Sequence, residues 1–262
     1  MKFVCFGEIM GRLNPEGYLR FVQADRYELT FAGGEANVAV SLANFGKDVS
    51  YVTKLPENDI ANAAIRSLKA HGVDTSNIVR GGERLGLYYV EKGASQRASK
   101  VIYDRKYSSI SMADLKDFDW DGIFSNAGWF HFTGITPALS DNCAAICEQA
   151  CKEAKARGIT VSCDLNYRKN LWTSKKAGLV MARLMPYVDV CIANEEDCEK
   201  VFGIKAAQTD IKSGKLSREG YQEVAEKLSS KFDIPTVAIT LRGSISAVSY
   251  THLRAHETLR HL

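Results

Sequence analysis

Short apolar runs alternate along the chain with longer segments in which apolar residues recur every three or four positions. The short runs have the length of buried strands, and the longer segments have the spacing of helices. Glycine or a capping residue bounds most of them. The predicted strands are residues 2–7, 48–54, 129–133, 159–164, 188–193 and 236–240, and the predicted helices are residues 33–45, 59–71, 140–157, 174–185 and 218–231. This order predicts a mainly parallel sheet covered by helices on both faces.

Two segments break the alternation. Residues 12–30 and 85–106 lack helical periodicity and carry strand-forming residues such as Tyr88, Tyr89 and Val90. We expect them to form a small antiparallel sheet that acts as a lid, because a lid can exclude water and still admit a substrate. The predicted domains are an α/β core of residues 1–11, 31–84 and 107–247, a β lid of residues 12–30 and 85–106, and a tail of residues 248–262.

The composition narrows the class of protein. The 262 residues are 45% hydrophobic and 25% charged, as in a folded enzyme, and the formal net charge is +3. No basic stripe favours nucleic acid or a membrane surface, and no apolar stretch has the length of a membrane span, so a cytoplasmic enzyme is expected. Among seven cysteines, Cys143, Cys147 and Cys151 repeat on one helical face. Because no histidine or second cysteine pair accompanies them, a core-facing stripe is favoured over a metal site.

A glycine pair, Gly33 and Gly34, opens the first predicted helix, and Gly46 ends it. Glycine lets the backbone approach a ligand without a Cβ in the way, and Asn37 in the first turn can hydrogen-bond to hydroxyl groups. The run alone is also compatible with a packed strand-to-helix turn. It resembles the first signature of the ribokinase-like (PfkB) sugar kinases, in which the glycine turn and the asparagine hold the sugar. The resemblance implies a three-layer α/β/α domain with a mainly parallel sheet and a small antiparallel β lid.

Two arginines carry a second part of the resemblance. Tyr103 and Arg105 lie in the predicted lid, and Arg168 closes a segment that begins at Asp164. A guanidinium pairs with a carboxylate through a planar fork, which suits a sugar acid rather than a neutral sugar. The segments resemble 2-keto-3-deoxygluconate kinases of the PfkB family, in which Y-x-R and D-x-N-x-R motifs hold the acid and its keto group, and Tyr89 fits the same pattern. Taken singly, Arg105 could be a solvated strand charge, Arg168 a loop residue and Tyr89 a lid core residue.

The chain contains neither a GxxxxGK[ST] loop nor a GxGxxG turn after a strand, so a nucleotide site must be of another type. Residues 194–197 follow a strand and resemble the N-x-x-E motif of the family, which organises Mg²⁺ and phosphate. Asp197 is the expected metal contact, through water, at a position where the family commonly has glutamate. A plain acidic helix start is the alternative. The nucleotide contacts that the resemblance implies are Asn166, Asn194, Thr240, Arg242 and Gly243.

The resemblance extends to about residue 247 and then stops. The family has a D-T-x-G-A-G-D turn next, whose last Asp is the general base, and this turn does not occur in the chain. We therefore assign no catalytic residue and expect a C-terminally truncated kinase that lacks activity. Residues 248–262 look foreign to the family. Their histidines His256 and His261 are five positions apart, and not the four of a zinc-binding HExxH motif.

The function implied by the resemblance is ATP-dependent phosphorylation of 2-keto-3-deoxygluconate to the 6-phosphate, with Mg²⁺ as the metal. A kinase for a neutral sugar such as fructose or ribose and a non-catalytic sugar-acid binding fragment remain alternatives. The expected partners are the sugar acid and ATP, without nucleic acid or membrane. A lid with unpaired strand edges could also join two subunits into a homo-oligomer.

Overall fold

The structure is a computed structural model, and it describes residues 1–205, 218–240, 243–244, 250–251 and 258–260. The chain divides into two compact units, an N-terminal unit of Met1–Ala127 and a C-terminal unit that begins at Gly128. Both units contain parallel strands flanked by helices. Arg242 and most of the predicted tail lie outside the described residues.

The N-terminal unit alternates strands and helices. Its elements are β1 (Lys2–Phe6), β2 (Met10–Pro15), β3 (Tyr27–Ala32), α1 (Gly34–Asn44), β4 (Asp48–Leu55), α2 (Asp59–Lys69), β5 (Ile78–Arg80), β6 (Leu87–Glu91), β7 (Lys100–Asp104) and α3 (Trp120–Ile123), with 3-10 turns at Phe21–Gln23 and Leu115–Asp117. Strand β4 lies between β1 and β5 and is parallel to both. Asn58 is the N-cap of helix α2, and its side chain accepts the Ala61 N–H at 2.9 Å. Its buried residues Ala61, Ala64 and Leu68 pack into the same apolar cluster as β4.

A separate four-stranded sheet contains the two segments that break the helical alternation. Its strand order is β3-β2-β6-β7. The β2–β3 and β6–β7 pairs are antiparallel, and the central β2–β6 pair is parallel. A small, mainly antiparallel sheet is therefore present as predicted. Within residues 12–30 and 85–106, most of the residues in regular secondary structure belong to its four strands.

The C-terminal unit continues the alternation. Its elements are β8 (Ala127–Thr133), α4 (Ile135–Ala138), α5 (Asp141–Ala156), β9 (Thr160–Asp164), α6 (Ser174–Leu184), a 3-10 turn at Met185–Tyr187, β10 (Val190–Ala193), α7 (Glu195–Phe202), α8 (Arg218–Phe232), β11 (Thr236–Ile239), β12 (Gly243–Ser244), β13 (Tyr250–Thr251) and β14 (Thr258–Arg260). Strands β8, β9, β10 and β11 are parallel neighbours in that order, and β14 pairs antiparallel with β11. Parallel strands place their carboxyl ends at one edge, where ligands bind in such sheets.

The predicted cysteine stripe belongs to the core of this second unit. Cys143, Cys147 and Cys151 are fully buried on α5, and all seven cysteines are free thiols. No group of three or more histidine, cysteine or acidic residues in the described part of the chain could hold a metal ion. No helix in that same part is both long and apolar enough to cross a membrane.

Candidate active site

The glycine turn is shaped by close packing. Gly33 is the N-cap of α1 in an extended conformation, with a φ of −169° that any residue can adopt. A Cβ at this position would lie 2.0 Å from the carbonyl oxygen of Glu8, so only glycine fits against that backbone. The sequence predicts a glycine at position 33 because a ligand approaches the backbone there. The described contact shows that the packing of the Glu8 backbone already requires a glycine here.

Asn37 lines a cavity to which the predicted substrate residues of the lid do not contribute. Its N–H donates to the Gly33 carbonyl at 2.8 Å, and its side chain is exposed. It lines a cavity of about 390 Å³. The other lining residues lie on β3, α1 and α2 or next to β2 and α2, and they are Ile9, Phe31, Ala36, Val40, Ser41, Asn44, Ser67, Leu68 and His71. The predicted residues Tyr89, Tyr103 and Arg105 do not line this cavity.

Arg105 follows β7 and makes a buried ion pair with Glu8. Its Nε donates to Oε2 of Glu8 at 2.8 Å, and its Nη2 contacts the same oxygen. Ser108 Oγ donates to the other carboxylate oxygen at 2.6 Å. Because Arg105 is only 10% exposed, it is not the solvated strand charge that the sequence left open.

The register of the small sheet separates the two predicted tyrosines. Tyr88 pairs with Tyr103 across β6 and β7, and their rings stack with centroids 5.9 Å apart. The guanidinium of Arg105 lies 5.6 Å from the centre of the Tyr103 ring. Tyr89 follows Tyr88 in the strand and therefore points to the opposite face. We call the side that carries Tyr88, Tyr103 and Arg105 the tyrosine face.

Tyr89 belongs instead to an aromatic cluster on the other side of the sheet. Its ring makes edge-on contacts with the rings of Phe21 and Tyr27, and the distances between ring centroids are 6.4 Å and 6.3 Å. The structure therefore does not bring Tyr89 together with Tyr103 and Arg105. Its position fits the alternative of a lid core residue, and Tyr88 is the tyrosine that lies beside Tyr103.

The tyrosine face also carries a second arginine that sequence reasoning missed. Arg12 on β2 pairs in register with Tyr88, and its Nε donates to Asn14 Oδ1 at 3.0 Å. Burial raises the pKa of the Tyr88 hydroxyl, and the charge of Arg12 acts against this rise. The strand alternation of residues 10–15 was the available signal, since it places Arg12 and Asn14 on one face.

The predicted nucleotide residues follow three neighbouring strands of the C-terminal unit. Asn166 comes two residues after β9, Asn194 directly after β10 and Thr240 directly after β11. The Thr240 N–H donates to the Ala193 carbonyl at 2.8 Å, which joins two of these strand ends. Asn166 has a left-handed backbone with a φ of 36°, and its N–H donates to Asp164 Oδ1 at 3.1 Å. The structure thus brings these residues to one edge, as the strand order predicts.

Asp197 lies in the first turn of α7, and Asn194 is the N-cap of that helix. The side chain of Asn194 caps this helix by accepting the Asp197 N–H at 2.8 Å. The Asp197 carboxylate accepts the Tyr167 N–H at 3.1 Å and is 7% exposed. Burial raises the pKa of Asp197 to about 6, although the Tyr167 N–H and the charge of Arg168 act against this rise. Arg168 and Asp197 are therefore electrostatic neighbours within this unit.

For two of the predicted nucleotide-binding residues, Gly243 and Arg242, no side-chain contact is described. Gly243 is the first residue of β12, which pairs with β13. Arg242 lies outside the described residues. In the predicted tail, the described residues form the short strands β13 and β14.

Comparison with known proteins agrees with this architecture. A profile of the pfkB family of carbohydrate kinases matches residues 1–258. A crystal structure of 2-dehydro-3-deoxygluconokinase from Thermotoga maritima is 52% identical to the chain, with a TM-score of 0.91, and the match covers 95% of this chain and 74% of that one. This similarity establishes a ribokinase-like α/β fold with a mainly parallel sheet and a small antiparallel sheet.

Two curated relatives match over most of the chain. One is a 2-dehydro-3-deoxygalactonokinase of Haloferax volcanii, 32% identical over 95% of this chain and 73% of its own length. The other is a 2-dehydro-3-deoxygluconokinase of Thermoproteus tenax, 29% identical over 88% of this chain and 70% of its own length. Since the family profile covers nearly the whole sequence, the chain belongs to the pfkB family of carbohydrate kinases.

Proposed function

We propose that the activity of this carbohydrate kinase is transfer of the γ-phosphoryl group of ATP to the terminal hydroxyl of 2-keto-3-deoxygluconate, giving the 6-phosphate, and that this chain, in which the D-T-x-G-A-G-D turn does not occur, binds the sugar acid without turnover. The observation that carries the proposal is the buried Arg105 beside Tyr103 on the tyrosine face. A guanidinium held in a poorly solvated place is suited to a carboxylate, whereas a neutral sugar offers it only hydroxyl groups. Two of the relatives described above carry the name of this activity, and a third acts on the galactonate counterpart.

Substrate contacts are proposed for residues of each unit, taken separately. In the N-terminal unit we assign them to the Gly33–Gly34 turn, Asn37 and the tyrosine face, with Tyr88 in place of Tyr89. In the C-terminal unit we assign Arg168, whose charge lies close enough to Asp197 to affect its pKa. Nucleotide contacts are assigned to Asn166, Asn194, Thr240, Arg242 and Gly243.

Magnesium fits the C-terminal unit as an ion that arrives with the nucleotide. Mg²⁺ commonly keeps several waters and takes one or two carboxylates together with substrate phosphates. Asp197 offers one carboxylate, and one of its oxygens already accepts the Tyr167 N–H. A contact through water is therefore proposed for Asp197. When bound, the ion would supply positive charge that offsets the charge of the phosphates.

The residues of the chain contribute mainly by positioning and by electrostatics. Arg105 would orient the carboxylate end of the sugar acid, and the tyrosines beside it would shield that end from water. The small sheet is proposed to act as the lid, and pairing of its outer strands with a second copy of the chain is kept as a proposal. A cytoplasmic location is also proposed, because all seven cysteines are free buried thiols.

The substrate assignment is tested by calorimetric binding and by ADP release with three sugars: 2-keto-3-deoxygluconate, its C4 epimer and fructose. We expect the wild-type chain to bind the gluconate acid roughly 10- to 100-fold more tightly than fructose, because fructose lacks the charge-assisted carboxylate contact. Arg105→Lys should remove most of this preference, since an ammonium group does not reproduce the fork.

Arg84→Lys is the matched control. Arg84 is also an arginine at the edge of the small sheet, and it pairs with Asp104 at 2.8 Å. Its substitution should leave the preference for the acid unchanged. Equal affinity of the wild-type chain for fructose and for the acid would contradict the proposal and favour a neutral-sugar kinase. Binding of the acid without ADP release is the expected result for this chain, and ordinary ADP release would contradict the expectation that it lacks activity.

A further inference from the structure

The carboxylate of Glu8 is buried beside the proposed substrate residues, yet no step of the proposed function uses it. Glu8 lies between β1 and β2, and its side chain is 2% exposed. Both of its oxygens accept hydrogen bonds, one from Arg105 and the other from Ser108. A buried carboxylate is tolerated only when it is paired and hydrogen-bonded in this way.

The pairing uses one edge of the Arg105 guanidinium and leaves the other. An arginine has five N–H donors in a rigid planar fork. The Nε and Nη2 groups of Arg105 both face Oε2 of Glu8, so the side edge of the fork is occupied. The end edge, made by Nη1 and the second N–H of Nη2, has no hydrogen-bond partner among the described residues. This is the edge that a substrate carboxylate could take with two parallel hydrogen bonds.

Two glycines make room for this arrangement. A Cβ at Gly86 would lie 2.7 Å from Oε1 of Glu8 and 3.4 Å from Cβ of Arg105. A Cβ at Gly33 would lie 2.0 Å from the carbonyl oxygen of Glu8. The glycine turn and the tyrosine face therefore both pack around Glu8. A shift of Glu8 would displace Arg105 relative to both.

We propose that Glu8 is a positioning residue, which acts through Arg105 to hold the end edge of the guanidinium in place for the carboxylate of the sugar acid. The inference rests on the proposed function. Arginine has a long side chain with many rotamers, and fixing it before the substrate arrives removes part of the entropy cost of binding. Ser108 contributes by fixing the second oxygen of Glu8.

The test is a double-mutant cycle between Glu8 and Arg105 in the full chain. Glu8→Gln keeps the shape of the side chain and removes its charge. We expect it to weaken binding of 2-keto-3-deoxygluconate by roughly 10- to 100-fold and to change fructose binding by less than about 3-fold. In an Arg105→Gln background, Glu8→Gln should then change acid binding by less than about 2-fold, because its effect passes through Arg105. Calorimetry measures each affinity, and thermal melting checks that each variant is folded.

Glu91→Gln is the matched control, since Glu91 is also a buried glutamate of the N-terminal unit and lies on β6. Glu91 is 7% exposed and accepts the Phe21 N–H at 3.1 Å. Its Oε1 lies 3.8 Å from Nε of Arg97. It has no contact with Arg105, so its substitution should leave the acid preference unchanged. Ser108→Ala serves as a milder change, which removes one hydrogen bond and keeps the ion pair. It should weaken acid binding by about 3-fold, and it decides the question if Glu8→Gln does not fold.

The Nε–H proton of Arg105 gives a readout that needs no substrate. In the wild-type chain its NMR signal should exchange slowly with water, and in Glu8→Gln it should exchange fast. The inference is overturned if the Glu8→Gln variant binds the acid like wild type, or if it loses acid and fructose binding equally. It is also overturned if Glu8→Gln keeps its full effect without Arg105. A wild-type chain that does not bind the acid overturns the proposed function as well as the inference. The results with the Glu8→Gln variant overturn the inference about Glu8 only, so the two failures can be told apart.

Discussion

His131 is a buried histidine whose neutral form the fold requires. It lies on β8 with 5% of its surface exposed, and its Nδ1 is 2.9 Å from Ser162 Oγ on β9. Its Nε2 has no hydrogen-bond partner among the described residues. Burial lowers the pKa of His131 to about 4, because an imidazolium would be poorly solvated there. In the unfolded chain its pKa returns to about 6.5.

His131 and Asp197 affect stability in opposite directions over the same pH range. Between about pH 4 and pH 6.5 the unfolded chain binds a proton at His131 that the folded chain does not, so this residue makes stability rise with pH. Between about pH 4 and pH 6 the folded chain binds a proton at Asp197 that the unfolded chain does not, so this residue makes stability fall with pH. The two contributions nearly cancel in the wild-type protein.

Substituting one of the two residues should therefore reveal how the other makes the free energy of unfolding depend on pH. Relative to wild type, His131→Gln should lose stability as the pH rises from 4 to 6, because the Asp197 contribution is left alone. Asp197→Asn should gain stability over the same range, because the His131 contribution is left alone. Each difference should approach about 1.4 kcal/mol per pH unit. Urea unfolding at pH 4, 5 and 6 measures the free energies, and parallel profiles for the three proteins would rule out this titration.

At the scale of elements, the register of β6 decides which tyrosine can serve the substrate. Tyr88 stacks on Tyr103, whereas Tyr89 contacts Phe21 and Tyr27 on the other face. We expect Tyr88→Phe to weaken binding of the sugar acid by about 2- to 10-fold, through the loss of one hydroxyl hydrogen bond. Tyr89→Phe is the matched change one position along the strand and should have no effect on binding. Calorimetry compares the two, and a larger effect of Tyr89→Phe would return the assignment to Tyr89.

The positions of the longer elements could be predicted from the sequence, but the register of the small sheet could not. Buried strands such as β1 and β9 are short apolar runs with clear ends, and α5 begins where Ser140 caps it. In β6, aromatic and apolar residues follow one another without alternation, so the pattern does not tell which of them shares a face with Tyr103. Pairing with β2 and β7 decides it. The elements α3, α4 and β5 have three or four residues each and are too short for a periodic signal.

At the scale of the whole molecule, local order and distant contacts differ in how far the sequence reveals them. Asn166, Asn194 and Thr240 could be assigned to one edge because each follows a predicted parallel strand. The pairing of Arg105 with Glu8 joins residues 97 positions apart. No spacing rule predicts such a contact, because it depends on how the small sheet packs on the glycine turn. The sequence therefore identified Arg105 as a candidate and missed the residue that holds it.

Burial also differs widely between the strands, and this predicts how the molecule responds to its substrate. The last three residues of β1 are buried, as are the central three of β9, whereas every residue of β7 and the first four of β3 are exposed. Exposed strands with few apolar contacts open at low free-energy cost. In the chain without substrate, amide hydrogen exchange should therefore be fastest in β3 and β7 and slowest in β1 and β9.

Adding 2-keto-3-deoxygluconate should slow exchange in β6 and β7, because substrate binding opposes opening of the strands that hold it. Mass spectrometry of peptides covering these strands measures the change, with fructose as the comparison sugar. Protection of β3 and β7 equal to that of β1 in the substrate-free chain would contradict a mobile lid, and slowing confined to the C-terminal unit would remove the small sheet from the sugar-acid site.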